Sequence, residues 1–143
     1  MVTPTVPILT ELRVPRTVSA LGLIFERLDP LLADPRVDDR SAYVVRLAVE
    51  EIFTNMVKYN PEGEHTIAIT ASLDGASITV SMEDRGVRPF DVTAAETPGL
   101  NLPADERPVG GMGLHLVRSM VDGLEYRHDN GLTRIRITKA LEH

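Results

Sequence analysis

Glu51 and Asn55 stand four residues apart in the stretch EEIFTNMVKY (Glu50 to Tyr59), and together they could handle a proton and a metal-bound phosphate. On a helix turning about 100° per residue they lie about 40° apart, and Lys58 falls on the same side, between Leu47 and Glu51. Val45, Ala48, Val49, Ile52 and Met56 fill the adjoining arc and would face a core. The polar trio then sits at the edge of a buried face, where a cleft can form. An asparagine carbonyl is a hard, neutral oxygen ligand suited to Mg²⁺ that also holds substrate phosphates. A neighbouring carboxylate can take the proton of an attacking hydroxyl or water. Glu50 would point about 100° away. Taken alone, the pair equally describes a solvated helix flank.

Two further segments carry chemistry. In EDRGVRPFD (Glu83 to Asp91), Asp84 is expected to end a strand with Ile78, Val80 and Met82 on one face. A carboxylate there can accept a hydrogen bond from an exocyclic amine, which selects adenine over guanine. Gly86, lacking a Cβ, would let the backbone approach a ring closely. Asp-x-Gly is also a common turn. In VGGMGLHLV (Val109 to Val117), Gly110, Gly111 and Gly113 precede a helical run that opens at Leu114. Freed backbone N–H groups and the helix dipole favour an anion at such a start, although a hinge before a helix would look the same. No GxxxxGK[ST] segment occurs, so a P-loop cannot supply the phosphate contacts. Lys58, Arg85 and Arg107 could pair with phosphate or simply be solvated. His115 is expected to be packed against its apolar helix. His65 and His128 are isolated, so no histidine metal cluster can be assembled.

The elements that must position these residues follow from periodicity and punctuation. A strand is expected over Ile8 to Val14, a helix from about Arg16 to Ala33 and a second helix from Asp39 to Tyr59, ended by Asn60-Pro61. Strands Thr66 to Leu73 and Ser77 to Glu83 join at Asp74-Gly75, and Leu124 to Arg127 and Thr133 to Lys139 flank Asn130-Gly131. A helix is expected from about Met112 to Val121. The stretch from Val92 to Val109 has three prolines and no apolar period, and loops of that length are often binding loops. The expected fold is α/β (α+β), a two-layer sandwich with a mixed, mostly antiparallel sheet of about five strands and three helices on one face.

Composition bounds the function. At 143 residues and 43% hydrophobic content, one domain over residues 1–140 is expected, and Leu141-Glu142-His143 reads as the start of an expression tag. The net charge of −6 disfavours nucleic acid. The absence of cysteine excludes disulfides, thiolate zinc sites and cysteine nucleophiles. With no signal-peptide pattern and no apolar run long enough to span a membrane, a cytoplasmic protein is expected.

In order and spacing, the three segments resemble the N box and two glycine boxes of the GHKL ATP-binding domain shared by histidine kinases, gyrase and MutL. The small size and the wording GGxGLHLVRSxVD most resemble the bacterial anti-sigma-factor serine kinases, over residues 8 to 139. The resemblance implies ATP and Mg²⁺ as cofactors, with Glu51 as general base and Asn55 as the Mg²⁺ ligand. It implies that Asp84 binds the adenine amine, and that Lys58, Gly86, Gly110, Gly111, Gly113 and Leu114 line the nucleotide site. It places an ATP lid between the glycine boxes. Phe90 departs from the family pattern, lying one residue later than expected, and Val92 stands where a proline is common. The implied activity is serine/threonine phosphorylation of a STAS-type anti-sigma antagonist, with a sigma factor as another partner and a homodimer as an option. The alternative is a nucleotide-gated module that sequesters a partner without transferring phosphate. A histidine-kinase catalytic half would need an upstream acceptor histidine, and none precedes His65. Gyrase- or MutL-like ATPases carry transducer domains that 143 residues cannot hold.

Overall fold

The computed structural model describes residues 7–93 and 112–142, with the side chains of Met112 and Gly113 not included. Strand β1 (Ile8–Pro15) leads through a 3-10 turn (Val18–Ala20) to helix α1 (Leu21–Leu32) and helix α2 (Asp39–Tyr59). The hairpin of β2 (Thr66–Leu73) and β3 (Ser77–Arg85) follows. Helix α3 (Met112–Met120) precedes the hairpin of β4 (Gly123–Asp129) and β5 (Leu132–Ala140).

The five strands form one sheet in the order β1-β2-β3-β5-β4. Every pairing is antiparallel, so the sheet is not mixed as expected from the sequence. The second hairpin joins through β5, whose Ile137 lies opposite Val80 and Ile135 opposite Met82. Alternation decides which face is buried: Ile67, Ile69, Ala71 and Leu73 of β2 point inward, as do Ile78, Val80 and Met82 of β3. They meet Ile24, Leu28 and Leu31 of α1, Val45, Ala48, Val49, Ile52, Phe53 and Met56 of α2, and Leu114 and Val117 of α3. The helices thus cover one face, making the two layers of an α+β sandwich.

Local chemistry sets the boundaries. Asp38 caps α2 by accepting a hydrogen bond from the Ser41 amide at 3.0 Å, and Asn60 ends the helix just before Pro61. The first helix begins at Leu21 rather than near Arg16. The Arg16 amide donates to the His65 carbonyl at 2.8 Å, extending the β1–β2 pairing one residue further and holding that backbone out of a helix. Asn130 and Gly131 have φ of 50° and 76°, the left-handed pair of a tight hairpin turn. The β2–β3 connection is built otherwise. Asp74 Oδ1 accepts from the amides of Ala76 and Ser77, both at 2.7 Å, so a side chain closes that turn.

Leu141 and Glu142 are tied into this fold. Leu141 packs against the core cluster and its amide donates to Ala76 O at 2.9 Å. The Glu142 amide donates to Asp38 Oδ1 at 2.9 Å. No helix among the described residues is long and apolar enough to cross a membrane.

Candidate functional site

Helix α2 presents Glu51 and Asn55 on the flank of its buried face, with Ile52, Phe53 and Met56 fully buried beside them. Glu50 is exposed and directed away. Glu51 is half-buried. Burial first, and then the Glu50 charge, raise its pKa above the usual glutamate range. A carboxylate with a raised pKa is a better proton acceptor than one at the ordinary value.

Asn55 is buried, and its Nδ2 donates to Val92 O at 3.4 Å. That bond, though long, commits the nitrogen end of the amide and leaves Oδ1 as the end able to meet a cation. Lys58 is exposed, with its ammonium 5.2 Å from the Tyr59 ring centroid. Tyr59 also meets Phe90, at a centroid separation of 5.5 Å. The displaced Phe90 therefore packs against the end of α2. The chain beyond it returns to the core at Val92, which is fully buried. Among the described residues, no three His, Cys, Asp or Glu side chains gather as a metal cage. A metal here would lean on substrate oxygens, as Mg²⁺ commonly does.

Asp84 lies within β3, one residue before its end, rather than terminating the strand. It continues the inward alternation of Ile78, Val80 and Met82, and it is 0% exposed. A carboxylate so buried needs partners, and it has them. Arg16 grips it with both terminal nitrogens, Nη1 reaching Oδ2 at 3.0 Å and Nη2 reaching Oδ1. Asn60 Nδ2 approaches Oδ2 at 3.4 Å. The Oδ1 of Asn60 is buried with no hydrogen-bond partner among the described residues, an acceptor beside the carboxylate. Gly86 follows with φ of 71°, where its lack of a Cβ is required, and Val87 turns back into the interior.

Of the third segment, Gly110 and Gly111 lie outside the described residues, as does Arg107. So does nearly all of the expected lid. Gly113 falls in the first turn of α3, and Leu114 is buried in the core cluster against which α2 also packs. His115 is exposed, not packed as expected, because the buried side of α3 is set by Leu114 and Val117 three residues apart. Arg85 is exposed on the far end of β3. His128 hydrogen-bonds Thr133 Oγ1 at 2.8 Å across the hairpin.

The fold thus carries Asn55 on α2 and Asp84 on β3, with Asn60 at the end of α2 reaching the Asp84 carboxylate. Arg16 and Asn60 are the participants that sequence reasoning misses. Asn60 is legible only as a helix terminator. Nothing local marks Arg16, whose partner lies 68 residues away.

Comparison with known proteins agrees with this fold. The family described as "Histidine kinase-like ATPase domain" matches residues 14–139. "Serine-protein kinase RsbW" of Bacillus cereus (strain G9842) is 28% identical over 110 residues, covering 68% of this chain and 63% of that protein. Its counterpart in Bacillus mycoides (strain KBAB4) is 27% identical with the same coverage. The chain therefore spans less than two thirds of the length of these relatives. The crystal structure of the RsbU and RsbW domains of Rv1364c from Mycobacterium tuberculosis superposes with a TM-score of 0.65 at 21% identity, covering 99% of this chain and 34% of that one, a likeness of fold.

Proposed function

The chain belongs to the histidine kinase-like ATPase domain family, and from that premise we propose that it is a Mg-ATP-dependent serine/threonine protein kinase acting on a small protein partner. The observation that carries this reading is the flank of α2. There a glutamate with a raised pKa stands one turn from an asparagine whose nitrogen is committed to Val92 and whose oxygen is not.

In this reading Glu51 accepts the proton that a seryl or threonyl hydroxyl loses as its oxygen bonds the γ-phosphorus, and ADP departs with the electrons of the broken bond. Mg²⁺, when bound with the nucleotide, would neutralise charge on the phosphates, and Asn55 Oδ1 is the protein oxygen suited to hold it. The first turn of α3, with Gly113 and the preceding Gly110 and Gly111, would offer backbone amides to the phosphates. Lys58 would add a cation nearby. Asp84 would read the adenine amine, with Gly86 allowing the close approach of the base. The relatives named as serine-protein kinases support the hydroxyl as acceptor. A STAS-type anti-sigma antagonist is the proposed substrate, with a sigma factor as a second partner, a homodimer as the working assembly and the cytoplasm as its place.

The test is a radiolabelled transfer assay run beside a nucleotide titration. Glu51→Gln should retain nucleotide affinity while transfer falls by about 10²–10⁴-fold. Asn55→Ala should weaken Mg-ATP binding itself. A wild type that binds ATP and its partner yet never transfers phosphate overturns the kinase reading and leaves a nucleotide-gated binding module.

A further inference from the structure

Asp84 is 0% exposed, so no ligand can reach its carboxylate unless something now covering it moves. The group lying directly on it is the Arg16 guanidinium, which engages both carboxylate oxygens. Arg16 comes from the segment between β1 and α1, and its side chain is itself only 8% exposed. Its seat is built rather than incidental. Nε donates to Glu64 O at 2.8 Å, and the backbone amide is fixed on His65 O at 2.8 Å. The space for the guanidinium exists because residue 63 is glycine: a Cβ there would fall 2.5 Å from Arg16 Cζ and 2.8 Å from Val87 Cγ1.

We infer that Arg16 is an internal competitor for the base-reading carboxylate, holding Asp84 in the nucleotide-free protein and withdrawing when an amino-bearing base binds. This rests on the reading of Asp84 as the adenine contact. Arginine stays protonated, so its grip is permanent until displaced. Breaking a buried ion pair leaves a charge in need of donors. An exocyclic amine supplies one donor and Asn60 Nδ2, already beside Oδ2, supplies another. Asn60 Oδ1, buried without a donor among the described residues, is an acceptor available to the same amine. Apparent affinity is therefore scaled by the fraction of molecules in which Arg16 is unseated, and any change that unseats it raises that affinity.

The experiment compares the wild type with Arg16→Ala and Gly63→Ala, titrating each with Mg-ATP and with inosine triphosphate, which carries an oxo group in place of the amine. Gly63→Ala displaces the flexible end of Arg16 while retaining every charge, so it remains informative if Arg16→Ala leaves Asp84 unpaired and the protein unfolded. Circular dichroism reports whether each variant is folded. The folded variants should bind ATP about tenfold tighter than the wild type, with inosine triphosphate affinity unchanged. If the wild type binds ATP and the folded variants gain nothing, or gain equally for both nucleotides, Arg16 is a structural ion pair and the inference is overturned. If no variant and no wild type binds ATP, the adenine role of Asp84 falls first, and the competitor with it.

Discussion

Glu51 answers to two opposed requirements. As the proposed base it must be ionised, yet burial and then the neighbouring Glu50 charge make ionisation harder than in the unfolded chain. A carboxylate whose folded pKa is raised opposes folding above its unfolded pKa, and that penalty is full once the pH exceeds the folded value. Two outcomes follow at this scale. Glu51→Gln should raise the thermal midpoint at neutral pH even as it abolishes proton acceptance, measured by melting both proteins without nucleotide. Glu50→Gln removes the lesser cause, so the acid limb of the transfer rate should move to lower pH in a pH–rate profile. An unmoved limb would mean that Glu51 is not the group titrating. Asn55 shows why such a site is only half legible in sequence. Its helical spacing from Glu51 places it on the right flank, but the bond to Val92 that settles which end of the amide is free depends on how a distant segment re-enters the core.

Among elements, the two hairpins separate backbone strain from side-chain chemistry. Gly131 has φ of 76° and, among the described residues, nothing within 4 Å of where a Cβ would stand, so Gly131→Ala meets the left-handed backbone penalty. Denaturant unfolding should show a loss of about 1 kcal/mol, with the slope unchanged. Asp38 joins two elements at once. One oxygen caps α2 through Ser41, and the other holds the Glu142 amide beyond β5. The adjacent Ser41 hydroxyl first, and then the amides of Glu142 and Ser41, lower its pKa from 3.8 to about 2. Its folded value being depressed, this contribution is whole above 3.8 and is lost as the pH falls toward about 2. Asp38→Ala should lower the thermal midpoint by a few degrees at neutral pH, and the difference from wild type should close over that acid window. The end of helix α2 is legible because Asn60-Pro61 marks it, whereas the Asp38 cap at its start comes from the structure. The start of α1 is not legible. Arg16 belongs to the sheet by its amide and to Asp84 by its side chain, and neither bond leaves a trace in local periodicity.

At the scale of the whole molecule, one core unites all three helices with the sheet, and Phe53 of α2 is among its largest fully buried side chains. Phe53→Ala should cost about 3–5 kcal/mol in equilibrium unfolding, a large share of the roughly 5–15 kcal/mol typical of a domain. A loss below about 1 kcal/mol would mean that the helix layer collapses into the gap. The same connectedness explains what composition can and cannot say. Alternating strands and capped helices announce a two-layer fold, whereas the order β1-β2-β3-β5-β4 depends on which edge the second hairpin takes, and both of its strands carry inward apolar residues.

That order has a consequence for how the protein is made. Among the described strands β5 is synthesised after the other four, yet it sits inside the sheet, with β3 on one side and β4 on the other. The meander of β1, β2 and β3 can pair as it emerges, but β3 keeps an open edge until residues 132–140 are synthesised. Translation halted within that span yields no smaller domain; it releases a chain with a bare strand edge and a detached partner strand. Such a product is a substrate for proteases and a template for aggregation.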